Sequence, residues 1–275
     1  YFWQLLVTSD ATVGGMSELL IVGGGKMGAA LIGGLLSNGY EPQDLVVAEL
    51  QEQRRQELSD TYGVKVSAEI EPAEAAIIST KPETVSHVAA KIAQAGIGRL
   101  LSIAAGVTIS TIDQATGGEI PVVRAMPNTP ALVGLGAAAI CGNPAASEKD
   151  LLWAEKILGA VGIVVRTEEY LIDAVTGLSG SGPAYLFLVA EAMIDAGVLS
   201  GLSRDVATRL TIQTLLGAST LLLEGKPAAE LRGDVTSPGG TTAAGLRELE
   251  GHGLRSAFAS AIDAATQRSR ELGGN

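Results

Sequence analysis

The feature that most limits this chain's fold is a strand–turn–helix–strand unit near its beginning. Glu18-Leu19-Leu20-Ile21-Val22 is a short apolar run ending in glycines, and a helical pattern follows it through Leu36. Such a run suits a parallel strand covered on both faces. The connecting turn, Gly23-Gly24-Gly25-Lys26-Met27-Gly28, is a Gly-x-Gly-x-x-Gly. Its glycines permit a tight turn, close approach of a pyrophosphate to the backbone, and tight packing of helix on strand. The motif alone is weak, and a plain glycine-rich turn is the alternative. What favours a dinucleotide site is the second strand, Leu45-Val46-Val47-Ala48-Glu49, which ends in an acid. An acid there takes the adenosine ribose hydroxyls and repels a 2′-phosphate. Arg54 and Arg55 follow closely and could accept that phosphate instead.

The alternation continues. Ala75–Ser79, Leu100–Ile103 and Pro121–Ala125 read as further strands, with Ala137–Cys141 and Ile163–Val165 as candidate edge strands. Strands alternating with helices predict a doubly wound parallel sheet. Ligands of such sheets bind at the carboxyl ends of strands, where Thr80-Lys81-Pro82 and Ala104-Ala105-Gly106 fall. Lys81 is either a solvated loop lysine or a partner for cofactor phosphate or ribose. From about Leu171 strands give way to long helical patterns: Pro183–Val198, Ser203–Glu224, Thr242–Leu249 and His252–Leu272. Ser203 is placed to cap the second of these, with Asp205 in its first turn. Ile212, Leu215, Leu216, Leu222 and Leu223 form a stripe too broad for a bundle of this size to hide by itself. The expected organisation is α/β: a Rossmann-like domain over 16–170, then an all-helical domain over 171–275.

Composition removes several classes of function. A net charge of −11 and a pI near 4.7 argue against a nucleic-acid partner, which calls for a basic stripe. Hydrophobic residues are 47% and charged ones 18%, so part of the apolar excess is expected between subunits. The single cysteine, Cys141, excludes an internal disulfide and fits a reducing, cytoplasmic compartment. Two histidines and one cysteine cannot build a usual zinc site, so no metal is expected. No apolar run approaches the roughly 20 residues of a membrane-spanning helix, so no membrane partner is expected either. Residues 1–15 read as an extraneous leader or an upstream misreading without order of its own, with Met16 as the natural start.

A second stretch carries chemistry. Within Leu231 to Glu250, Ser237-Pro238-Gly239-Gly240-Thr241-Thr242 packs three hydroxyls and two glycines into six residues. Pro238 cannot continue a helix, and the glycines let a ligand approach without a Cβ in the way. Thr241 or Thr242 can then cap a helix starting at Ala243, whose free amides favour an anion. The stretch is either a capped helix after a turn or a cradle for a carboxylate or phosphate.

This stretch resembles the C-terminal signature of the pyrroline-5-carboxylate reductases. So do Leu178-Ser179-Gly180-Ser181-Gly182-Pro183-Ala184-Tyr185 and Ala125-Met126-Pro127-Asn128-Thr129-Pro130, and the likeness runs from Leu19 to about Leu272. The resemblance implies reduction of 1-pyrroline-5-carboxylate to L-proline by NADP(H) or NAD(H), in a homodimer of interlocked helical domains assembled further. It implies cofactor contacts at Gly23, Gly25, Lys26, Met27, Gly28, Glu49, Thr80, Lys81, Pro82, Ala104 and Ala105. It places the substrate on Ser237, Gly239, Gly240, Thr241, Thr242 and Asn128, with Thr242 near the ring nitrogen as the catalytic candidate. Asn128 could equally be a turn residue between prolines, and Ser179 and Ser181 could merely start a helix. Glu224 and Asp234 read as exposed carboxylates, and His87 and His252 as surface residues without a role. The chain between Gly63 and Lys81 is shorter than usual for the family, so one polar adenosine contact has no counterpart.

The 3-hydroxyacid dehydrogenases share this layout and use a lysine and an asparagine on a glycine-rich helix. Here Gly177, Gly180 and Gly182 remain, but Leu186 and Ala190 occupy the two polar positions. Carbonyl chemistry needs a proton donor or oxyanion partner, whereas a protonated C=N bond is already a cationic electrophile. The missing acid therefore points to a cyclic imine. The alternatives are another imine or 2-hydroxyacid reductase, or a non-catalytic NAD(P)-binding oligomer.

Overall fold

The computed structural model describes residues 17–274; the expectation for residues 1–15 lies outside them. In chain order the elements are β1 (Ser17–Val22), α1 (Lys26–Ser37), β2 (Leu45–Ala48), α2 (Glu52–Tyr62), β3 (Lys65–Ser67), β4 (Ala73–Ile78), α3 (Val85–Gln94), β5 (Leu100–Ser102), α4 (Ile109–Thr116), β6 (Val122–Met126), β7 (Gly136–Gly142), α5 (Glu148–Gly159) and β8 (Gly162–Arg166). The rest is helical: α6 (Ile172–Val175), α7 (Gly182–Leu199), α8 (Arg204–Leu223), α9 (Ala228–Asp234), α10 (Thr241–Gly251) and α11 (Leu254–Leu272).

The chain forms two compact units, and they are not the consecutive segments 16–170 and 171–275. The first comprises residues through Ala104, Thr108–Arg124 and Gly142–Val161; the second comprises Ala105–Val107, Ala125–Cys141 and Gly162 onward. The chain passes between them within β6, and β7 and β8 group with the helices.

In the first unit the strands pair in parallel, in the order β3-β2-β1-β4-β5-β6. The order reverses at β1 and β4, leaving a crevice at their carboxyl ends, the usual ligand position in such sheets. Leu19, Leu20 and Ile21 of β1 and Ile77 and Ile78 of β4 are almost wholly buried, as continuous apolar strands require. β3 is an addition to the expected strands. Its three residues alternate only weakly and are partly exposed, too short a run to stand out. On one face, Gly34 of α1 meets the end of α5, where an added Cβ would lie 2.3 Å from Val161.

In the second unit β7 and β8 pair in parallel, from Gly136↔Gly162 to Ile140↔Arg166. Gly162 leaves no room for a side chain, because a Cβ there would stand 2.0 Å from the Gly136 carbonyl oxygen. The helices carry an unusual load of exposed apolar surface. α7 has no buried residue, and Phe187 on it is 65% exposed. Ile212 and Leu216 on α8 are also more than half exposed. The stretches Glu169–Leu199 and Arg204–Leu223 are long and apolar enough to cross a membrane by length and composition. Neither stands out in the sequence as an unbroken apolar run, because glycines, serines and scattered charges interrupt both.

Candidate functional site

A cavity of about 450 Å³ opens in the first unit at the carboxyl ends of β1, β2 and β4. It is lined by Gly23 and Gly25 from the β1–α1 turn, Glu49, Leu50 and Gln51 beyond β2, Ala68–Ile70 beyond β3, and Ser79, Thr80 and Lys81 beyond β4. Gly23 has φ +101°, and a Cβ on it would clash with the Ser79 carbonyl oxygen at 2.6 Å. A Cβ on Gly28 would stand 2.2 Å from the Gly23 carbonyl oxygen, so this glycine lets helix and turn close on each other. Gly25, by contrast, faces open space. It precedes α1 with no side-chain cap, and the first helical bond comes from Ala29 N–H to Gly25 O at 2.9 Å. The amides of Lys26, Met27 and Gly28 thus lack an intrahelical acceptor, the arrangement that binds a pyrophosphate.

Glu49 shapes this cavity in a way its sequence position does not reveal. Its Oε2 accepts the Gly24 amide at 2.9 Å and its Oε1 accepts the Gln51 amide at 3.0 Å. The other side of the glycine turn is gripped as well, since Arg54 Nε donates to Gly24 O at 2.7 Å. Arg55 donates to the carbonyls of Glu49 and Leu50, at 2.8 Å each. Both arginines, read from sequence as candidate phosphate acceptors, brace the backbone and do not line the cavity.

Pro82 opens a short 3-10 turn, Ala104 is buried just beyond β5, and neither lines the cavity; Ala105 falls in the second unit. His87, exposed as expected, lines the cavity nonetheless, together with Thr84, Val88 and Lys91 of the same helical segment. Their spacing of three or four residues puts them on one face of α3, a signal already present in the sequence.

In the second unit, Ser237–Thr242 form a tight exposed turn into α10. Gly239 has φ +70°, and the Gly240 amide bonds back to Ser237 O at 3.0 Å. The Ser237 hydroxyl folds over this turn, so a Cβ on Gly240 would stand 2.5 Å from it. The helix begins at Thr241, not Ala243, and its N-cap is Gly240 with no side-chain bond. Neither threonine caps it: extended backbone at Gly240 starts the helix early and puts both threonines in its first turn. Ala244 makes the first bond to Gly240 O, leaving the amides of Thr241, Thr242 and Ala243 without an intrahelical acceptor. Thr242 is half-buried beside them.

Asn128 stands at another cavity, of about 370 Å³, whose walls include Ser179, Pro183 and Tyr185 of the second unit. Ser237–Thr242 do not line it. The Asn128 side chain donates to Ser179 O at 3.1 Å and accepts from Ala137 N at 2.8 Å. Ser179 does not start a helix; its hydroxyl donates back to Val175 O at 3.1 Å, and Ser181 makes no capping bond. Leu186 is exposed on α7. Glu224 ends α8, and Asp234 pairs with Lys226; both are exposed. Among the described residues no three His, Cys, Asp or Glu groups gather as a metal site would require.

Comparison with known proteins covers both units. Residues 169–272 match the family model described as pyrroline-5-carboxylate reductase dimerisation, and residues 18–106 that of NADP oxidoreductase, coenzyme F420-dependent. The pyrroline-5-carboxylate reductase of Mycobacterium leprae is 41% identical over 285 residues, covering 94% of this chain and 97% of that protein. The solved structure of a pyrroline-5-carboxylate reductase from Coxiella burnetii superposes with a TM-score of 0.88 at 35% identity, covering 94% of this chain and 99% of that one. The pyrroline carboxylate reductase of Plasmodium falciparum, solved with NADP bound, gives a TM-score of 0.82 at 29% identity over 94% of this chain and all of that one.

Proposed function

The chain belongs to the pyrroline-5-carboxylate reductase family, and from that premise we propose how its residues carry out the reaction. It is an oxidoreductase that reduces 1-pyrroline-5-carboxylate to L-proline with NAD(P)H. The observation that carries this reading is identity to such reductases along nearly the whole chain. The proposed division of labour gives the dinucleotide to the first unit, and substrate and assembly to the second.

The cofactor's residues fit its chemistry. Gly25 offers room, the amides of Lys26, Met27 and Gly28 offer donors to a pyrophosphate, and Glu49, which lines the cavity, is proposed to take the ribose hydroxyls. Thr80 and Lys81 line the cavity as well, and Pro82 and Ala104 are proposed to shape its approach. When bound, NAD(P)H supplies the hydride. The protein's part is to bind, orient and keep the imine protonated.

The substrate carboxylate is proposed to lie on Ser237, Gly239, Gly240 and Thr241. Uncapped amides at the start of α10 favour an anion, Gly239 faces open space, and the Ser237 hydroxyl stands over Gly240 as a further donor. The Thr242 hydroxyl is then within the first turn to meet the ring nitrogen. A neutral hydroxyl is a poor acid, so Thr242 orients the iminium or relays its proton from water. Hydride adds at the imine carbon and the nitrogen keeps its proton, so no strong acid is needed. Leu186 on α7 fits this account, since a carbonyl reductase of this layout would need a proton donor there.

The exposed faces of α7 and α8 are proposed to close against a second copy. The match of residues 169–272 to a dimerisation family supports that reading over a membrane span. Dimers assembling further, with no nucleic-acid partner, in the cytoplasm, complete the proposal. The test is steady oxidation of NADPH or NADH with 1-pyrroline-5-carboxylate and none with 3-hydroxyacid precursors. Oxidation with a 2-oxoacid but not the cyclic imine would favour the 2-hydroxyacid alternative, and cofactor binding without turnover the non-catalytic one.

A further inference from the structure

Between α6 and α7 the chain makes a single π-helical turn, Thr176–Gly180, in which Ser181 N–H bonds to Thr176 O at 2.8 Å, five residues back. Such turns insert one residue into a helix and recur at functional sites. This one deprives two carbonyls of the partner an unbroken α-helix would supply. Gly177 O would have taken Ser181 N–H, which is diverted to Thr176. Ser179 O would have taken the amide of residue 183, but that residue is Pro183 and has none.

Each of these carbonyls is capped by one side chain. The Tyr185 hydroxyl donates to Gly177 O at 3.1 Å, and Asn128 Nδ2 donates to Ser179 O at 3.1 Å. Asn128 is itself held, because its Oδ1 accepts from Ala137 N at 2.8 Å at the start of β7. The turn has little freedom elsewhere. A Cβ on Gly177 would lie 2.4 Å from Thr266 Oγ1 on α11, and one on Gly180 would lie 2.5 Å from Met126 Cε. Nearby, Ser269 Oγ donates to the buried Asp173 at 2.6 Å, tying α6 to α11.

We infer that Asn128 and Tyr185 are paired positioning residues, acting on the reaction through the widened turn whose two orphaned carbonyls they cap. Asn128 then does not act by touching the ring. Both side chains, with Ser179 and Pro183, line the 370 Å³ cavity, so the turn they hold sets the shape of its wall. The inference rests on the reductase reading, and the experiment separates the two.

Asn128→Asp keeps the acceptor for Ala137 and removes the donor to Ser179. Tyr185→Phe keeps the ring and removes the donor to Gly177. Both variants and the double variant are assayed with 1-pyrroline-5-carboxylate, on protein shown folded by circular dichroism, with the dissociation constant of NADPH measured separately. Each single change is expected to lower kcat at least 5-fold with KM and NADPH affinity within about 2-fold. The double variant should be no more than about 2-fold worse than the poorer single one, because both act on one element. Losses that multiply in the double variant would overturn the inference, as would a change in KM alone for Asn128→Asp, or wild-type kinetics in both singles. If Asn128→Asp does not fold, Tyr185→Phe decides the matter by its kcat. Absence of turnover by the wild-type chain would instead sink the reductase reading.

Discussion

At the scale of single residues, Thr242 bears most directly on the chemistry. Thr242→Ala should lower kcat/KM about 10- to 1,000-fold, roughly 1.4–4 kcal/mol, if its hydroxyl meets the ring nitrogen. Ser237→Ala should act mainly through KM, since a carboxylate contact serves ground and transition states alike. Near-normal kinetics for a folded Thr242→Ala protein would leave this threonine only its place in the first turn of α10. Glu49 offers a second test. Its carboxylate both faces the cavity and holds the amides of Gly24 and Gln51. Glu49→Ser should move the ratio of kcat/KM values toward NADPH, while weakening both cofactors by loosening the glycine turn. An unchanged ratio would show that the carboxylate only holds the loop. The glycine motif and its acid were legible because their spacing is local. The bonds of Asn128 to Ser179 and Ala137 were not, since they join segments that only the fold brings together. Likewise the bonds of Arg54 and Arg55 to the carbonyls of Gly24 and Glu49 join neighbours that only the fold brings together.

Single elements differ in how plainly they announce themselves. The Ser203 cap of α8 was readable, and its hydroxyl accepts from Val206 N at 3.3 Å. The π-helical turn was not, because nothing local distinguishes it from the start of an ordinary proline-led helix. α10 starts two residues before the expected Ala243, since an extended glycine caps as readily as a threonine. α5 offers a thermodynamic test of such ends. Asp150 accepts from both the amide and hydroxyl of Ser147, at 2.8 and 2.6 Å, with Arg99 3.8 Å away. Burial pushes the Asp150 carboxyl up, but these bonds and Arg99 outweigh it and hold the pKa below the ordinary value. A lowered folded-state pKa stabilises above the unfolded value and ceases to do so as pH falls through the folded one. Ser147→Ala should therefore cost about 1 kcal/mol at pH 7, and the difference should shrink below about pH 4. Urea midpoints at fixed protein concentration would measure it. An equal deficit at pH 7 and pH 3 would mean the loss is packing, not the charged cap.

For the whole molecule, the doubly wound sheet was legible from its alternation of apolar runs and turns. The division into units was less so, because β7 and β8 follow the helices in their contacts although they precede them in sequence. The apolar stripe on α8 was visible in sequence, and its exposure is what makes a partner necessary. Obligate interfaces between helical domains bury more than about 2,000 Å², and the chain should sediment at micromolar concentration as a dimer or a multiple of one. A monomer there would contradict that assembly. The central claim, that this chain reduces a cyclic imine, is tested most directly by following the transferred atom. With 1-pyrroline-5-carboxylate and NADPH deuterated at both C4 positions of the dihydronicotinamide, the account predicts L-proline carrying one deuterium at C5. Proline without the label, or cofactor oxidation without proline, would contradict it.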